Sequence, residues 1–192
     1  DKWAMKALFQ SAGLPVVQGV LTDKKTWYDQ LEAEVERIQK ACGGYPVVVK
    51  PVNLGSSIGI SKAHDRVELE DAVETALEYA SRVIVETCVP HLREINCSVL
   101  GDLDECQASV CEEPLNATDI LTFGDKYESG GKSGSKGMES LSRKIPADLP
   151  ADVTAAIQDL ACRAFRAING NGVARIDFMM DNETGAVYIN EI

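Results

Sequence analysis

Apolar residues recur along the chain at two spacings, and their alternation predicts helices and strands in mixed order. Spacing of three to four residues predicts helices over 2–12, 27–42, 65–80 and 151–168. Short apolar or alternating runs predict strands over 16–21, 47–50, 59–62, 83–86, 93–100 and 106–112. A last hairpin is predicted from strands 173–180 and 186–191 across a turn at 181–185. This order of elements indicates an α+β fold.

Residues that begin or end helices support these boundaries. Gly13 and Gly43-Gly44 follow helical patterns and are expected to end them, because glycine adopts the conformation that closes a helix. Asp65-x-x-Glu68 forms a plausible capping box in front of the third helix.

The pattern of elements changes near residue 87, which predicts two α+β lobes over 1–87 and 88–192. In the second lobe, residues 124–140 form a polar segment rich in glycine, serine and lysine, longer than most loops of compact domains. The sequence lacks an initiator methionine and stops in a strand without a turn signal. We therefore expect it to be part of a longer chain.

Composition narrows the functional class. The chain has 192 residues and a formal charge of −11, which argues against a surface that binds polyanions. No apolar run approaches the roughly 20 residues that span a bilayer, and the first residues do not resemble a leader peptide. Six dilute cysteines without a Cys-x-x-Cys pair favour a reducing cytoplasm and predict core residues rather than a zinc site.

The segment from Lys50 to Gly59 places a lysine at a strand end and then a loop of small residues. Backbone N–H groups of such a loop can approach an anion closely, so the segment is suited to binding phosphate. It is not a P-loop, because the lysine precedes the glycines. We expect this lysine to supply charge rather than packing. The alternative is a flexible turn with a surface lysine.

The C-terminal hairpin is expected to bring two acids together. If Asp177 lies opposite Glu191, the midpoint is residue 184, inside the predicted turn. Like charges facing each other across strands are unfavourable unless neutralised, and magnesium favours one or two carboxylates together with substrate phosphates. Arg175 would share their face and could stabilise negative charge. The alternative is a solvated hairpin in which Arg175 is only a salt-bridge partner.

Two further acids, Glu86 and Glu94, lie on either side of the predicted lobe junction, where clefts form. Lys126 and Tyr127 introduce a basic part of the long loop in an otherwise acidic chain. Taken alone, each of the two acids would more often be a solvated loop residue, and the basic segment is equally compatible with a solvated loop.

Taken together, these segments resemble the ATP-grasp enzymes and, among them, the D-alanine–D-alanine ligase family. The resemblance covers the whole chain and corresponds to the central and C-terminal part of the family, truncated at both ends. The segments that carry it, in family order, are Asp1-Lys2, Lys50-Pro51 to Gly59, Glu86, Arg93-Glu94-Ile95, Lys126-Tyr127, Arg175-Ile176-Asp177-Phe178 and Asn190-Glu191-Ile192.

The resemblance implies an ATP-grasp fold with the nucleotide between two α+β lobes. The residues it implies for the nucleotide are Lys2, Lys50, Gly55, Ser56, Ser57, Gly59, Glu86, Thr87, Cys88, Val89, Glu94 and Lys126. Lys2 and Lys50 would bind phosphates under a flap at 55–59, and Lys126 would touch the γ-phosphate. Glu86 and residues 87–89 would contact adenine, and Glu94 the ribose.

The resemblance also implies the remaining site residues. Asp177 and Glu191 would bind two magnesium ions, for which Mn²⁺ is an alternative. Ser56 and Tyr127 would lie near the incoming amino acid, and Arg175 would stabilise the tetrahedral intermediate. The implied reaction joins two D-alanines through an acylphosphate, which supports synthesis of bacterial peptidoglycan precursors.

Three departures from the family pattern qualify the comparison. The family's further metal ligand, an asparagine, would fall at position 193, after the last residue of the sequence. Asp125-Lys126-Tyr127 is more compressed than the family's loop motif. The family's N-terminal domain, which binds the first D-alanine, has no counterpart here, so the chain alone is expected to be inactive.

Two alternatives remain open at the level of sequence. The first is an ATP-grasp ligase with D-serine, D-lactate or another carboxylate–amine pair as substrates, although Tyr127 argues against D-lactate. The second is a nucleotide-binding module without turnover. For either ligase we expect small-molecule substrates such as D-alanine, no nucleic acid or membrane partner, and a cytoplasmic location. We also consider a homodimer of the full-length protein.

Overall fold

The computed structural model describes residues 1–55, 58–115 and 143–192. The helices are α1 (Lys2–Ser11), α2 (Lys24–Asp29), α3 (Leu31–Cys42), α4 (Arg66–Tyr79) and α5 (Ala151–Ala167). The strands are β1 (Gly19–Asp23), β2 (Val47–Pro51), β3 (Ser61–Ala63), β4 (Arg82–Thr87), β5 (Leu92–Gly101), β6 (Cys106–Pro114), β7 (Arg143–Lys144), β8 (Gly172–Asp181) and β9 (Val187–Glu191). The predicted α+β class is confirmed.

The described residues form two compact units. The first comprises residues 1–3 and 17–88 around an antiparallel sheet of order β1-β4-β2-β3. Trp27 and Ile38, from α2 and α3, and Leu69 from α4 are completely buried together with Val49 and Val85 of the sheet. Burial of these apolar side chains is what stabilises the unit.

The second unit comprises residues 4–16, 89–115 and 143–192 around an antiparallel sheet of order β7-β6-β5-β8-β9. Ile95, Ile176 and Phe178 point from β5 and β8 into a core that also contains Ile157 and Phe165 of α5. Because side chains alternate along a strand, the residues between them point to the face turned away from α5. The candidate site of this unit lies on that opposite face.

The structure differs from the predicted lobe boundary at the first helix. Residues 4–16 were assigned to the first lobe, but they group with the second unit. Phe9, Leu14 and Val16 are buried in the core that contains α5, so tertiary packing places this segment. Nothing in its helical periodicity indicates which core its apolar side joins.

Several element boundaries also differ. The helix predicted over 27–42 is two helices, because Gln30 departs from helical geometry at φ −140° and ψ 40°. Asp23 begins the first of them by accepting a hydrogen bond from the Thr26 amide at 3.0 Å. Strand β1 starts at Gly19 rather than at residue 16. The two-residue strand β7 was not predicted.

The predicted glycine and aspartate signals are confirmed. Gly43 adopts the left-handed conformation, φ 76°, at the end of α3. Asp65 accepts a hydrogen bond from the Glu68 amide at 2.9 Å, and the Glu68 carboxylate accepts one at 2.8 Å from His64, one residue before the cap. Within the described ranges, no helix is long and apolar enough to cross a membrane.

Candidate functional site

Lys50 and Glu86 form a buried ion pair in the first unit. β2 and β4 pair antiparallel so that Lys50 lies opposite Ile84 and Glu86 lies opposite Val48, which places the two charged side chains diagonally on one face. The Lys50 Nζ atom lies 2.6 Å from Glu86 Oε2, and the two residues are 8% and 5% exposed. The expectation that Lys50 supplies charge without packing is therefore wrong: its side chain is part of the interior.

Gly19 on β1 makes room for this pair. It lies opposite Glu86 in the sheet, and a Cβ atom at this position would lie 3.1 Å from Glu86 Cγ and 3.0 Å from the Val85 carbonyl oxygen. Such contacts are tighter than ordinary packing allows. The absence of a side chain at residue 19 thus leaves the space that the Glu86 side chain occupies.

Lys2 lies at the loop that follows Lys50. Its Nζ atom donates a hydrogen bond to the Leu54 carbonyl at 2.9 Å, and its amide donates one to the Val52 carbonyl at 2.7 Å. Both lysines that were predicted to bind phosphate thus lie next to the start of the glycine loop. Lys50 is at the end of β2, and Lys2 is hydrogen-bonded to residues 52 and 54.

The glycine loop is described at both ends. The Ile58 amide donates to the Gly55 carbonyl at 3.2 Å. Gly59 has φ +67°, and a Cβ atom there would lie 2.9 Å from Pro51 Cγ, so the turn requires glycine on both counts. The predicted binding residues Ser56 and Ser57 lie outside the described residues, and so do Lys126 and Tyr127 of the long loop.

The segment after Glu86, predicted to contact adenine, is bonded to the rest of the first unit. The Thr87 amide donates to the Gln18 carbonyl at 2.9 Å, and its hydroxyl donates to the Cys42 carbonyl at 3.1 Å. The Cys88 amide donates to the Pro46 carbonyl at 3.3 Å. Val89, which belongs to the second unit, is buried. These hydrogen bonds fix the backbone of residues 87 and 88.

In the second unit, four polar residues form one row across the sheet face opposite α5. Strand pairing places Asn96 of β5 opposite both Glu112 of β6 and Asp177 of β8, and Asp177 opposite Glu191 of β9. We call Glu112, Asn96, Asp177 and Glu191 the polar row. The predicted pairing of Asp177 with Glu191 is confirmed.

A bulge produces that pairing. Phe178 lies opposite Ile189 and Met179 opposite Tyr188, a register that would continue to residues 177 and 190. The register shifts between Asp177 and Phe178, so that Asp177 meets Glu191 instead. β-Bulges commonly redirect a side chain next to a functional site. Asp177 and Glu191, the pair expected from the midpoint at residue 184, therefore do face each other, although the rest of the hairpin has a different register.

Arg175 binds Asp177 with both ends of its guanidinium group. Nε donates to Oδ1 at 2.6 Å and NH2 donates to Oδ2 at 2.8 Å, between residues on the same face of β8. This is the salt bridge that sequence analysis raised as the alternative role of Arg175. Such bidentate pairs are among the stronger hydrogen-bonded ion pairs in proteins.

The polar row has an excess of negative charge. Burial raises the pKa of Asp177 above its ordinary value, the arginine pair opposes that shift, and the charges of Glu191 and Glu112 add to it. On the other side of the row, the Arg143 guanidinium lies 3.1 Å from Glu112. Three carboxylates therefore face two arginines, and a further cation would be electrostatically favourable here.

Sequence reasoning missed Asn96, Glu112 and Arg143. The first two could have been found by the midpoint argument, because residues 96 and 112 are equidistant from residue 104 in the turn between β5 and β6. Arg143 belongs to the basic residues that follow Lys126 in the sequence, but nothing in the sequence placed it beside Glu112. In the structure it lies in β7 and pairs with Pro114 of β6.

Glu94, predicted to bind ribose, precedes Asn96 by two residues on β5 and therefore points to the same face as the polar row. Its neighbour Arg93 donates to both oxygens of Glu113 at 2.7 Å, which ties the beginning of β5 to β6. In the part of the chain that the structure describes, no group of three or more His, Cys, Asp or Glu residues is arranged to hold a metal. One or two carboxylates are a usual protein contribution to a magnesium site in which phosphates supply further oxygens.

Comparisons with known proteins agree on one family. Residues 8–192 match the family model described as D-ala D-ala ligase C-terminus. The chain is 39% identical over 193 residues to a D-alanine–D-alanine ligase of Acetivibrio thermocellus, covering 100% of this chain and 48% of that protein. It is 40% identical over 192 residues to one of Heliobacterium modesticaldum, covering 100% and 49%.

Solved structures are similar in fold. VanG D-Ala:D-Ser ligase from Enterococcus faecalis superposes with a TM-score of 0.78 at 28% identity, covering 100% of this chain and 51% of that one. The D-alanine-D-alanine ligase from Coxiella burnetii superposes with a TM-score of 0.74 at 25% identity, covering 99% and 45%. The chain spans about half the length of the curated relatives it matches.

Proposed function

This chain belongs to the D-alanine–D-alanine ligase family and has its ATP-grasp fold, and we propose that it forms the ATP- and metal-binding part of an enzyme that joins two D-alanines. The observation that carries the proposal is the pairing of Asp177 with Glu191 beside Arg175 on one sheet face. This arrangement unites the acids and the arginine that the family resemblance assigned to magnesium and to the developing oxyanion.

The polar row fits a divalent cation. Asp177 and Glu191 would hold magnesium, because they are carboxylates brought face to face where negative charge is already in excess. When bound, the ion would neutralise phosphate oxygens and so favour phosphoryl transfer. Oxygens of the substrate phosphates would complete the ligand set that Asp177 and Glu191 begin.

The first unit would bind the phosphates of ATP. Lys50 is paired with Glu86 at 2.6 Å, and this pair positions the Lys50 side chain at the end of β2. Lys2 lies beside the loop that continues from this point, and glycines 55 and 59 allow the backbone to approach an anion. The roles of Glu86 and residues 87–89 toward adenine, of Glu94 toward ribose, and of Ser56, Ser57 and Lys126 toward phosphate rest on the family resemblance.

The chemistry requires charge neutralisation more than a reactive side chain. ATP would phosphorylate the carboxylate of the first D-alanine, which makes it an acylphosphate that the amine of the second D-alanine can attack. The attack places negative charge on the carbonyl oxygen, and Arg175 is the residue of this chain suited to stabilise it. Release of phosphate then leaves the new amide bond. Ser56 and Tyr127 would orient the incoming amino acid.

D-Serine is the second candidate for the attacking amino acid. The observation in its favour is the match of the whole chain to VanG D-Ala:D-Ser ligase with a TM-score of 0.78. The curated relatives at 38–40% identity carry the name D-alanine–D-alanine ligase, so we place D-alanine first. We also propose that the full-length protein acts in the cytoplasm on small molecules in the synthesis of peptidoglycan precursors.

A phosphate-release assay tests the proposal. The full-length protein would be supplied with ATP, Mg²⁺ and D-alanine, and then with D-serine or D-lactate beside D-alanine. We expect phosphate release and a dipeptide product with D-alanine alone. Product formed only with added D-serine would favour the second candidate, whereas no amino-acid-dependent phosphate release would contradict a ligase. Arg175→Met, which removes the guanidinium charge, serves as the control that we expect to be inactive, and circular dichroism checks that it is folded.

A further inference from the structure

Arg175 occupies the carboxylate that magnesium is proposed to use. Its Nε and NH2 atoms donate to both oxygens of Asp177, at 2.6 and 2.8 Å. The two carboxylate oxygens are therefore already engaged by a cation. A metal ion bound by Asp177 must either share these oxygens or replace the guanidinium group.

The arginine is able to leave without disturbing the core. Its side chain is 52% exposed, whereas that of Asp177 is 19% exposed, so about half of the arginine side chain faces solvent. Water can therefore take over the hydrogen bonds of the guanidinium group when it leaves the carboxylate, although the bidentate pair is stronger than an ordinary surface ion pair. A divalent cation carries twice the charge of the guanidinium group and interacts more strongly with two facing carboxylates. The stronger attraction of the carboxylates for the divalent cation thus favours replacement of the guanidinium group by the metal.

We propose that Arg175 and the divalent cation compete for the Asp177 carboxylate, so that cation binding releases the guanidinium group for the reacting substrate. This inference rests on the proposed function, because it uses the metal position assigned there. It makes Arg175 available as an oxyanion stabiliser only after the metal site is filled. Glu112, in the same row, keeps an anion beside the freed side chain.

Competition between Arg175 and the metal for Asp177 can be distinguished from simple repulsion between their positive charges. Arg175→Lys keeps the positive charge but loses the planar fork that engages both oxygens. If the fork blocks the metal, this variant binds the metal more tightly. If only charge matters, it binds as the wild type does. Arg143→Gln is the matched control, because it removes a full positive charge from the row at Glu112 without touching Asp177.

The experiment is calorimetric titration of the full-length protein with Mn²⁺ in the absence of nucleotide. We expect the Arg175→Lys variant to lower the dissociation constant roughly three- to tenfold, the range that the loss of a partly exposed charge-assisted hydrogen-bond pair supports. Arg143→Gln should change it by less. Thermal melting monitored by circular dichroism verifies that each variant is folded at the titration temperature.

Several results would overturn the inference. Unchanged or weaker Mn²⁺ binding in Arg175→Lys would do so, and so would a larger gain in Arg143→Gln than in Arg175→Lys. Asp177→Asn separates this inference from the function on which it rests. If wild-type Mn²⁺ binding does not depend on Asp177, both the metal position and the competition are refuted. If it does, an unaffected Arg175→Lys variant refutes the competition alone.

Discussion

Replacement of Lys50 by methionine should destabilise the protein by about 3 kcal/mol or more. Methionine retains most of the volume of the lysine stem, so the cavity term is small. The principal effect is electrostatic, because the Glu86 carboxylate, which is 5% exposed and lies 2.6 Å from Lys50 Nζ, loses its cationic partner. Removing one member of a buried ion pair typically costs about 3–5 kcal/mol, far more than an exposed pair. The Glu86 carboxylate would then remain buried without the lysine charge, because its residue is only 5% exposed.

A double variant tests this reason. Lys50→Met combined with Glu86→Gln removes both charges, and replacing a whole buried pair by neutral groups is often close to neutral. We therefore expect the double variant to be markedly more stable than Lys50→Met alone, with a coupling energy of about 2 kcal/mol or more. Urea unfolding measures both, provided that the slope of free energy against urea concentration is unchanged between variants.

The same double variant separates folding from binding. Because it should be folded, its affinity for ATP reports only the loss of the lysine charge and of the Glu86 carboxylate. We expect weaker binding by calorimetry. A Lys50→Met variant as stable as the wild type would refute the buried-pair argument. A folded double variant with unchanged ATP affinity would refute the phosphate-binding role of Lys50 instead.

Three further predictions concern single positions. Asp177→Asn and Glu191→Gln should each abolish turnover of the full-length enzyme. Each should leave the melting temperature without metal unchanged or slightly higher, because it relieves repulsion between facing carboxylates. A sharp fall in melting temperature would indicate a structural role. Gly19→Ala should destabilise by about 1–3 kcal/mol in urea unfolding, because its Cβ would lie 3.0 Å from a carbonyl oxygen of β4. Asp181→Asn should lower stability at neutral pH, because hydrogen bonds from the Thr184 hydroxyl and the next backbone amides hold the pKa of Asp181 below its ordinary value. The stabilisation by the Asp181 carboxylate is present above its unfolded-state pKa and disappears as pH falls through its folded-state pKa. The free energies of unfolding of the wild type and of Asp181→Asn should therefore converge in acid.

Local signals in the sequence determined most of the secondary structure. The helix over 66–79 was predicted from its apolar spacing and its aspartate cap, and the cap is present in the structure. The two strands of the last hairpin were predicted within one residue at each end. These features depend on neighbours a few residues apart, which is the range over which side-chain pattern and capping act.

The hairpin pattern already grouped Asp177, Glu191 and Arg175, and the structure places them together. The family resemblance added the roles proposed for them toward magnesium and the oxyanion. It did not indicate that Arg175 is bonded to Asp177, or that Asn96 and Glu112 extend the row, because these contacts depend on which strands pair.

Sequence by itself thus determined the elements, their order and the pairing of Asp177 with Glu191 within one hairpin. Tertiary structure decided which charges meet between strands more distant in the chain. Lys50 and Glu86 are separated along the chain by a loop, a strand and a helix, and only the pairing of β2 with β4 brings them within 2.6 Å. Asp177 faces Glu191 only because a bulge shifts the register by one residue. In a sheet, a shift of one residue reverses which side chains share a face, so such contacts follow from long-range pairing and packing rather than from the local sequence.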